Sequence, residues 1–125
     1  MNGDELPLIL LDTNIILYLL GCKLANPLPL GKYFASIITE IELLSYSSLS
    51  LEEEKQIMNF LNCITVMGID NNIKFLTISL RKQYRLKLPD AIVAATAQSL
   101  NTILFTNDTR LTNLTEINTQ SVEIV

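Results

Sequence analysis

Leu8-Ile9-Leu10-Leu11-Asp12-Thr13-Asn14-Ile15-Ile16-Leu17-Tyr18-Leu19-Leu20, residues 8–20, is the stretch whose reading decides the fold. Four aliphatic residues in a row predict a strand buried on both faces, as in a parallel sheet, and the apolar run from Ile15 to Leu20 is long enough for a helix. The polar triplet then falls at a strand-to-helix turn. A carboxylate at the carboxyl end of a central strand sits where open α/β sheets gather their ligands, which makes Asp12 a candidate functional residue. Asp, Thr and Asn are also favoured helix N-caps, so capping alone would account for any one of the three.

The 125 residues are 49% hydrophobic, which suits one domain, taken as 1–125, around a single core. No apolar run reaches the roughly 20 residues of a membrane span, and Met1 to Glu5 lacks the basic stretch of a signal peptide, so a cytoplasmic protein without membrane association is expected. Cys22 and Cys63 are isolated and form no zinc-type pair; they read as reduced thiols in the packed interior. A net charge of −4 argues against binding nucleic acid through a generally basic surface. Four of the nine basic residues, Arg81, Lys82, Arg85 and Lys87, nevertheless fall within seven positions, directly before Leu88-Pro89-Asp90. They read either as a solvated helix end or as a grip on a phosphate backbone.

The chain contains no histidine. Ser-His-Asp and Cys-His catalysis, paired-histidine ribonuclease chemistry and nearly every catalytic zinc site are thereby removed. Any chemistry must use carboxylates, which suit hard cations such as Mg²⁺ or Mn²⁺.

Beyond residue 20, Gly21 to Gly31 carries two prolines and reads as a link. Tyr33 to Ile38 predicts a second strand, and Thr39 to Tyr46 a helix with Thr39 as N-cap and Glu42 at capping-box spacing. Glu42 is then either a cap partner or a group projecting toward Asp12. Ser50 to Leu61 predicts a helix capped by Ser50, with Glu52, Glu53 and Glu54 favoured by the dipole of its first turn. Cys63 to Ile69 predicts a third strand. Asp70 caps the next helix, whose buried stripe is Ile73, Leu76, Leu80 and Tyr84. Leu88 to Leu100 predicts a helix started by Pro89, with four alanines for close approach to a sheet and Asp90 in its first turn. Thr102 to Phe105 predicts a fourth strand followed by Thr106-Asn107-Asp108, repeating the carboxylate-after-strand pattern, and Ser121 to Val125 an edge strand.

Singly, Asp12, Glu42, Asp90 and Asp108 each have a capping or dipole explanation. Jointly they fall at strand ends or helix first turns, the rim where an α/β active site is expected, and four crowded carboxylates call for a compensating cation. The fitting chemistry is metal-assisted phosphodiester hydrolysis. The segments Leu-Leu-Asp12-Thr13-Asn14, Ser36-Ile-Ile-Thr39-Glu-Ile-Glu42-Leu, Leu88-Pro89-Asp90-Ala-Ile-Val-Ala-Ala-Thr96-Ala and Thr106-Asn107-Asp108 resemble, in order and rough spacing, the four motifs of PIN-domain proteins, and among these the VapC-type ribonuclease toxins of bacterial toxin–antitoxin pairs. The resemblance implies a three-layer α/β/α sandwich with a central, mainly parallel sheet and a Mg²⁺- or Mn²⁺-dependent endoribonuclease site. It implies Asp12, Glu42, Asp90 and Asp108 as metal ligands, and Thr13, Asn14 and Thr106 as polar helpers. Glu40 competes with Glu42, although the Ser-x-x-Thr-x-x-Glu-Leu spacing selects Glu42. The partners it implies are an RNA substrate, which Arg81, Lys82, Arg85 and Lys87 would hold, a cognate antitoxin protein and a second copy in a homodimer.

Three rivals compete. A haloacid-dehalogenase-like phosphatase needs a second Asp two residues after the first, where this chain has Asn14. A receiver domain needs a phosphoacceptor Asp after a middle strand and a late Lys, found neither at Cys63 to Asp70 nor near Ser121. A PIN-like fold that only binds RNA or protein would have no need of four acids.

Overall fold

The aliphatic run forms strand β1, Leu8–Leu11, with Ile9, Leu10 and Leu11 buried. This computed structural model describes residues 5–125; residues 1–4 of the stretch read for a signal peptide lie outside the described residues. Beside β1 stand β2 (Lys32–Ser36) on one side and β4 (Ile103–Phe105) on the other, with β3 (Thr65–Met67) and β5 (Asn118–Gln120) at the edges. The order is β3-β2-β1-β4-β5 and every pairing is parallel.

Strand alternation sends β1 into two cores. Leu10 packs with Leu104 and with helices α4 (Asn71–Tyr84) and α5 (Leu88–Leu100) on one face. Ile9 and Leu11 pack on the other face with Ile15 and Ile16 of α1 (Thr13–Leu20), Leu43 of α2 (Ile37–Leu44), and Ile57 and Leu61 of α3 (Leu51–Asn62). The result is the expected α/β/α sandwich. Ala91, Ala94, Ala95 and Ala97 of α5 are all fully or nearly fully buried; side chains of one carbon let this helix lie close against the sheet. The chain reverses its direction of progress across the sheet at β1, so the carboxyl ends of β1 and β4 border the crevice in which doubly wound sheets bind ligands. Leu11 is paired with Phe105, and the Asp12 N–H donates to the Phe105 carbonyl at 3.1 Å, which sets the ends of β1 and β4 side by side.

Several boundaries differ from expectation. β2 stops at Ser36 rather than Ile38, because the Ser36 hydroxyl accepts from the Ile38 N–H at 3.2 Å and starts α2 there. Cap chemistry prevails over the β-propensity of Ile37 and Ile38. Thr39 is therefore inside the helix, not its cap, and it forms no capping box with Glu42. At α1 the cap is Asp12, so the helix begins at Thr13, two residues before Ile15. The Ser50 cap holds, as a full capping box with Glu53. β3 is shorter than Cys63 to Ile69 because Cys63 still closes α3. The sheet edge is β5, not Ser121 to Val125; that tail makes one antiparallel bridge, Ile124 to Leu24, and the Asn107 side chain both donates to and accepts from the Val122 backbone. A short helix α6, Thr109–Thr112, was not anticipated. Cys22 and Cys63 are exposed, contrary to the interior placement, because both occupy turns just beyond helix ends. No helix among the described residues is long and apolar enough to cross a membrane.

Candidate metal centre

One carboxylate, Asp12, both caps a helix and ties two strand ends together. Its Oδ1 accepts from the Thr13 N–H at 2.8 Å, capping α1, and its Oδ2 accepts from Thr106 Oγ1 at 2.7 Å. The Thr106 hydroxyl also accepts from the Asp108 N–H at 3.1 Å, tying the end of β4 to the end of β1. Asp108 in turn caps α6 through the Arg110 N–H at 2.9 Å. Because both threonine and carboxylates are fixed by backbone groups, the rim holds its polar atoms in set directions.

The second helix delivers Glu42. Thr13 Oγ1 donates to Glu42 Oε1 at 2.7 Å and lies 3.1 Å from Thr39 Oγ1, with both threonines buried. Glu42, not Glu40, receives this bond. Thr13→Val keeps the shape while removing the hydroxyl. Groups that orient a ligand are typically worth about 10–100-fold in affinity or activity, so a loss near the lower end is expected, read as metal affinity and cleavage rate of the variant. Wild-type values would show that Glu42 needs no orienting bond.

Asp90 enters from the first turn of α5, half-buried. Burial is the chief reason its pKa is raised; the Arg110 charge opposes this, and the charges of Asp108 and Glu42 add to it. Asp12 is also raised, again by burial first, against the bonds from Thr106 and Thr13 and with help from Asp90 and Asp108. Asp108 is lowered, chiefly by its bond from Arg110. Asp90 and Asp108 thus act on Asp12, and Asp108 and Glu42 on Asp90, across one crevice. Its donors are carboxylate oxygens, the set that hard divalent cations prefer, and an added cation would relieve both the mutual repulsion and the burial of charge. The donor chemistry therefore fits Mg²⁺ or Mn²⁺. Among the described residues no three acids stand close enough together to grip one ion, and a guanidinium lies between two of them: Arg110 Nη2 is 2.8 Å from Asp108 Oδ2 and 3.6 Å from Asp90 Oδ2.

Asn14 is exposed at the mouth, where it lines a recess of about 190 Å³ with Asp12, Tyr18, Asn107, Asp108 and Arg110. A larger cleft of about 430 Å³ lies between residues 24–29 and 120–123, but its lining is mostly apolar and includes none of the four acids. The basic cluster divides. Arg81 Nε donates to the Leu86 carbonyl at 3.3 Å, beyond the end of α4, and Lys82 is exposed in the last turn. Arg85 closes α4 in the left-handed conformation, φ 55°, and with Lys87 it lines a second recess of about 360 Å³ whose far side is Arg110 and Asn113. Arg110 is the residue that sequence reasoning missed. Its signal was present: a residue two positions after an Asp N-cap can double back onto that carboxylate.

The family profile described as PIN domain matches residues 9–117. Solved structures with similar folds include a toxin–antitoxin complex from Klebsiella pneumoniae (27% identity, TM-score 0.71, 87% of this chain and 94% of that one). VapBC-1 from nontypeable Haemophilus influenzae is 26% identical with a TM-score of 0.72, over 91% and 97% of the two chains. VapBC2 from Rickettsia felis, bound to a DNA fragment from its promoter, has a TM-score of 0.77 at 18% identity over 93% and 99%. No curated protein sequence matches the chain.

Proposed function

The chain belongs to the PIN domain family, and from that premise we propose that residues 1–125 act as a single PIN-like domain, a Mg²⁺- or Mn²⁺-dependent endoribonuclease serving as the VapC-type toxin of a toxin–antitoxin pair. The observation that supports the reading is a crevice beside the carboxyl ends of β1 and β4 in which Asp90 and Asp108 act on the charge of Asp12, and Asp108 and Glu42 on that of Asp90, in a chain without histidine. The likeness to toxin–antitoxin complexes supports the choice of toxin over other nucleases.

When bound, the divalent cation supplies Lewis acidity toward water and the scissile phosphate. Asp12, Glu42, Asp90 and Asp108 are the residues that would hold it. Thr106 fixes the Oδ2 edge of Asp12, Thr13 fixes Glu42, and the Asn14 amide stands at the mouth, where it can donate to a phosphate oxygen. Arg85 and Lys87 hold the RNA backbone beside the acids, with Arg81 and Lys82 extending the positive charge along α4. The cognate antitoxin protein, a homodimeric state and a cytoplasmic location complete the proposal. Purified protein freed of any partner should cleave RNA in Mg²⁺ or Mn²⁺ and stop when EDTA is added. Cleavage that survives exhaustive chelation would remove the metal mechanism, and RNA binding without cleavage in either metal would make the domain a binding module.

A further inference from the structure

Arg110 stands where a cation is needed. Its guanidinium forks onto Asp108, Nε to Oδ1 at 3.2 Å and Nη2 to Oδ2 at 2.8 Å, and the same Nη2 reaches toward Asp90 at 3.6 Å. These are the only ion pairs among the described residues, and both fall on acids of one crevice. Carboxylates from two different elements, the first turn of α5 and the cap of α6, share one nitrogen. Lys87, the other cation whose charge reaches both acids, forms no ion pair with either. The Arg110 side chain is 55% exposed, so it can swing out to solvent, and a pair with one partner this exposed is weak enough for a divalent ion to break. It also borders the recess of Arg85 and Lys87, where a phosphate would give it a new partner.

We propose that Arg110 is a built-in counter-cation: it holds Asp90 and Asp108 together while the site lacks metal, and an incoming divalent cation displaces it. The proposal rests on the metal-site reading above and adds a competition that sets the affinity. It accounts for the acids not standing ready to grip an ion, since a guanidinium and a compact ion ask for different spacings.

Mn²⁺ binding by calorimetry and thermal melting, on wild type, Arg110→Ala and Arg110→Lys, tests it without any activity measurement. Removing the competitor should tighten Mn²⁺ binding by about fivefold in Arg110→Ala, with Arg110→Lys between the two. Without metal, Arg110→Ala should melt about 2–5 °C below wild type, and saturating Mn²⁺ should close that gap. An arginine that merely braces α6 gives the opposite: the deficit persists in Mn²⁺ and the affinity is unchanged or weaker, which overturns the proposal. If wild type binds Mn²⁺ and Arg110→Ala binds it no more tightly, this inference alone falls. If neither protein binds Mn²⁺, the metal-site reading falls and takes the inference with it.

Discussion

Asp12→Asn is expected to lower metal-dependent RNA cleavage by at least about a hundredfold while leaving the metal-free protein as stable as wild type, or more so. The asparagine oxygen can still accept the Thr13 N–H, so the cap on α1 survives; the charge that holds a cation does not. The stability side follows from linkage. Burial raises the pKa of Asp12 in the folded state, so between the ordinary carboxylate value and that raised value the folded chain binds more protons than the unfolded one. Stability from this group therefore falls as pH rises through that window, and at neutral pH the ionised Asp12 works against the fold. Asp90 has the same sign; Asp108, lowered by Arg110, has the opposite one and loses its contribution as pH falls. Cleavage needs the charged forms, so the wild-type rate should decline on acidification, and because Mn²⁺ and protons compete for the same oxygens the midpoint should move to lower pH as Mn²⁺ is raised. Rates at saturating Mn²⁺ and melts across pH read both halves. Wild-type cleavage by Asp12→Asn would reduce this carboxylate to a helix cap.

What the sequence disclosed follows from how locally each feature is determined. Leu8 to Leu11 could only be a doubly covered strand, and Asp70, Ser50 and Pro89 marked helix starts that the structure keeps, because each depends on neighbours within one turn. The candidate acids could be picked out because each lies at a strand end or near a helix start beside an apolar segment. The failures are of two kinds. At Ser36-Ile-Ile-Thr39 two signals conflicted, β-branched propensity and a hydroxyl cap, and the nearer cap decided. At Cys22, Cys63 and the tail, composition suggested burial or strand while the position, just past a helix end or outside the last sheet pairing, was set by tertiary connections. The division of the basic cluster was hidden for the same reason: Arg81 is spent on a carbonyl, and only the left-handed turn at Arg85 brings Arg85 and Lys87 round to Arg110.

Leu10→Ala should do to the scaffold what Asp12→Asn does to the site. Leu10 is fully buried on the central strand, in one core with Ile73, Leu80, Ala94 and Leu104. Truncation removes its transfer free energy and leaves a cavity that strand neighbours fixed by hydrogen bonds cannot collapse to fill, a loss of about 3–5 kcal/mol. Against the roughly 5–15 kcal/mol that holds a typical domain together, this is a large fraction, and the melting temperature should drop by about 10 °C or more. A loss under about 1 kcal/mol by urea melting would contradict the assignment of Leu10 to a tightly packed core. Asp12, by contrast, is held from its own rim by Thr13 and Thr106 rather than from the core beneath. Molecules that remain folded should therefore bind Mn²⁺ with wild-type affinity, and because a ligand of the native state stabilises by an amount set only by its concentration and affinity, saturating Mn²⁺ should add the same free energy to both proteins. A smaller Mn²⁺ increment in Leu10→Ala would mean that core packing under β1 sets the geometry of the acids, and that the site is built by the strand rather than by the polar rim above it.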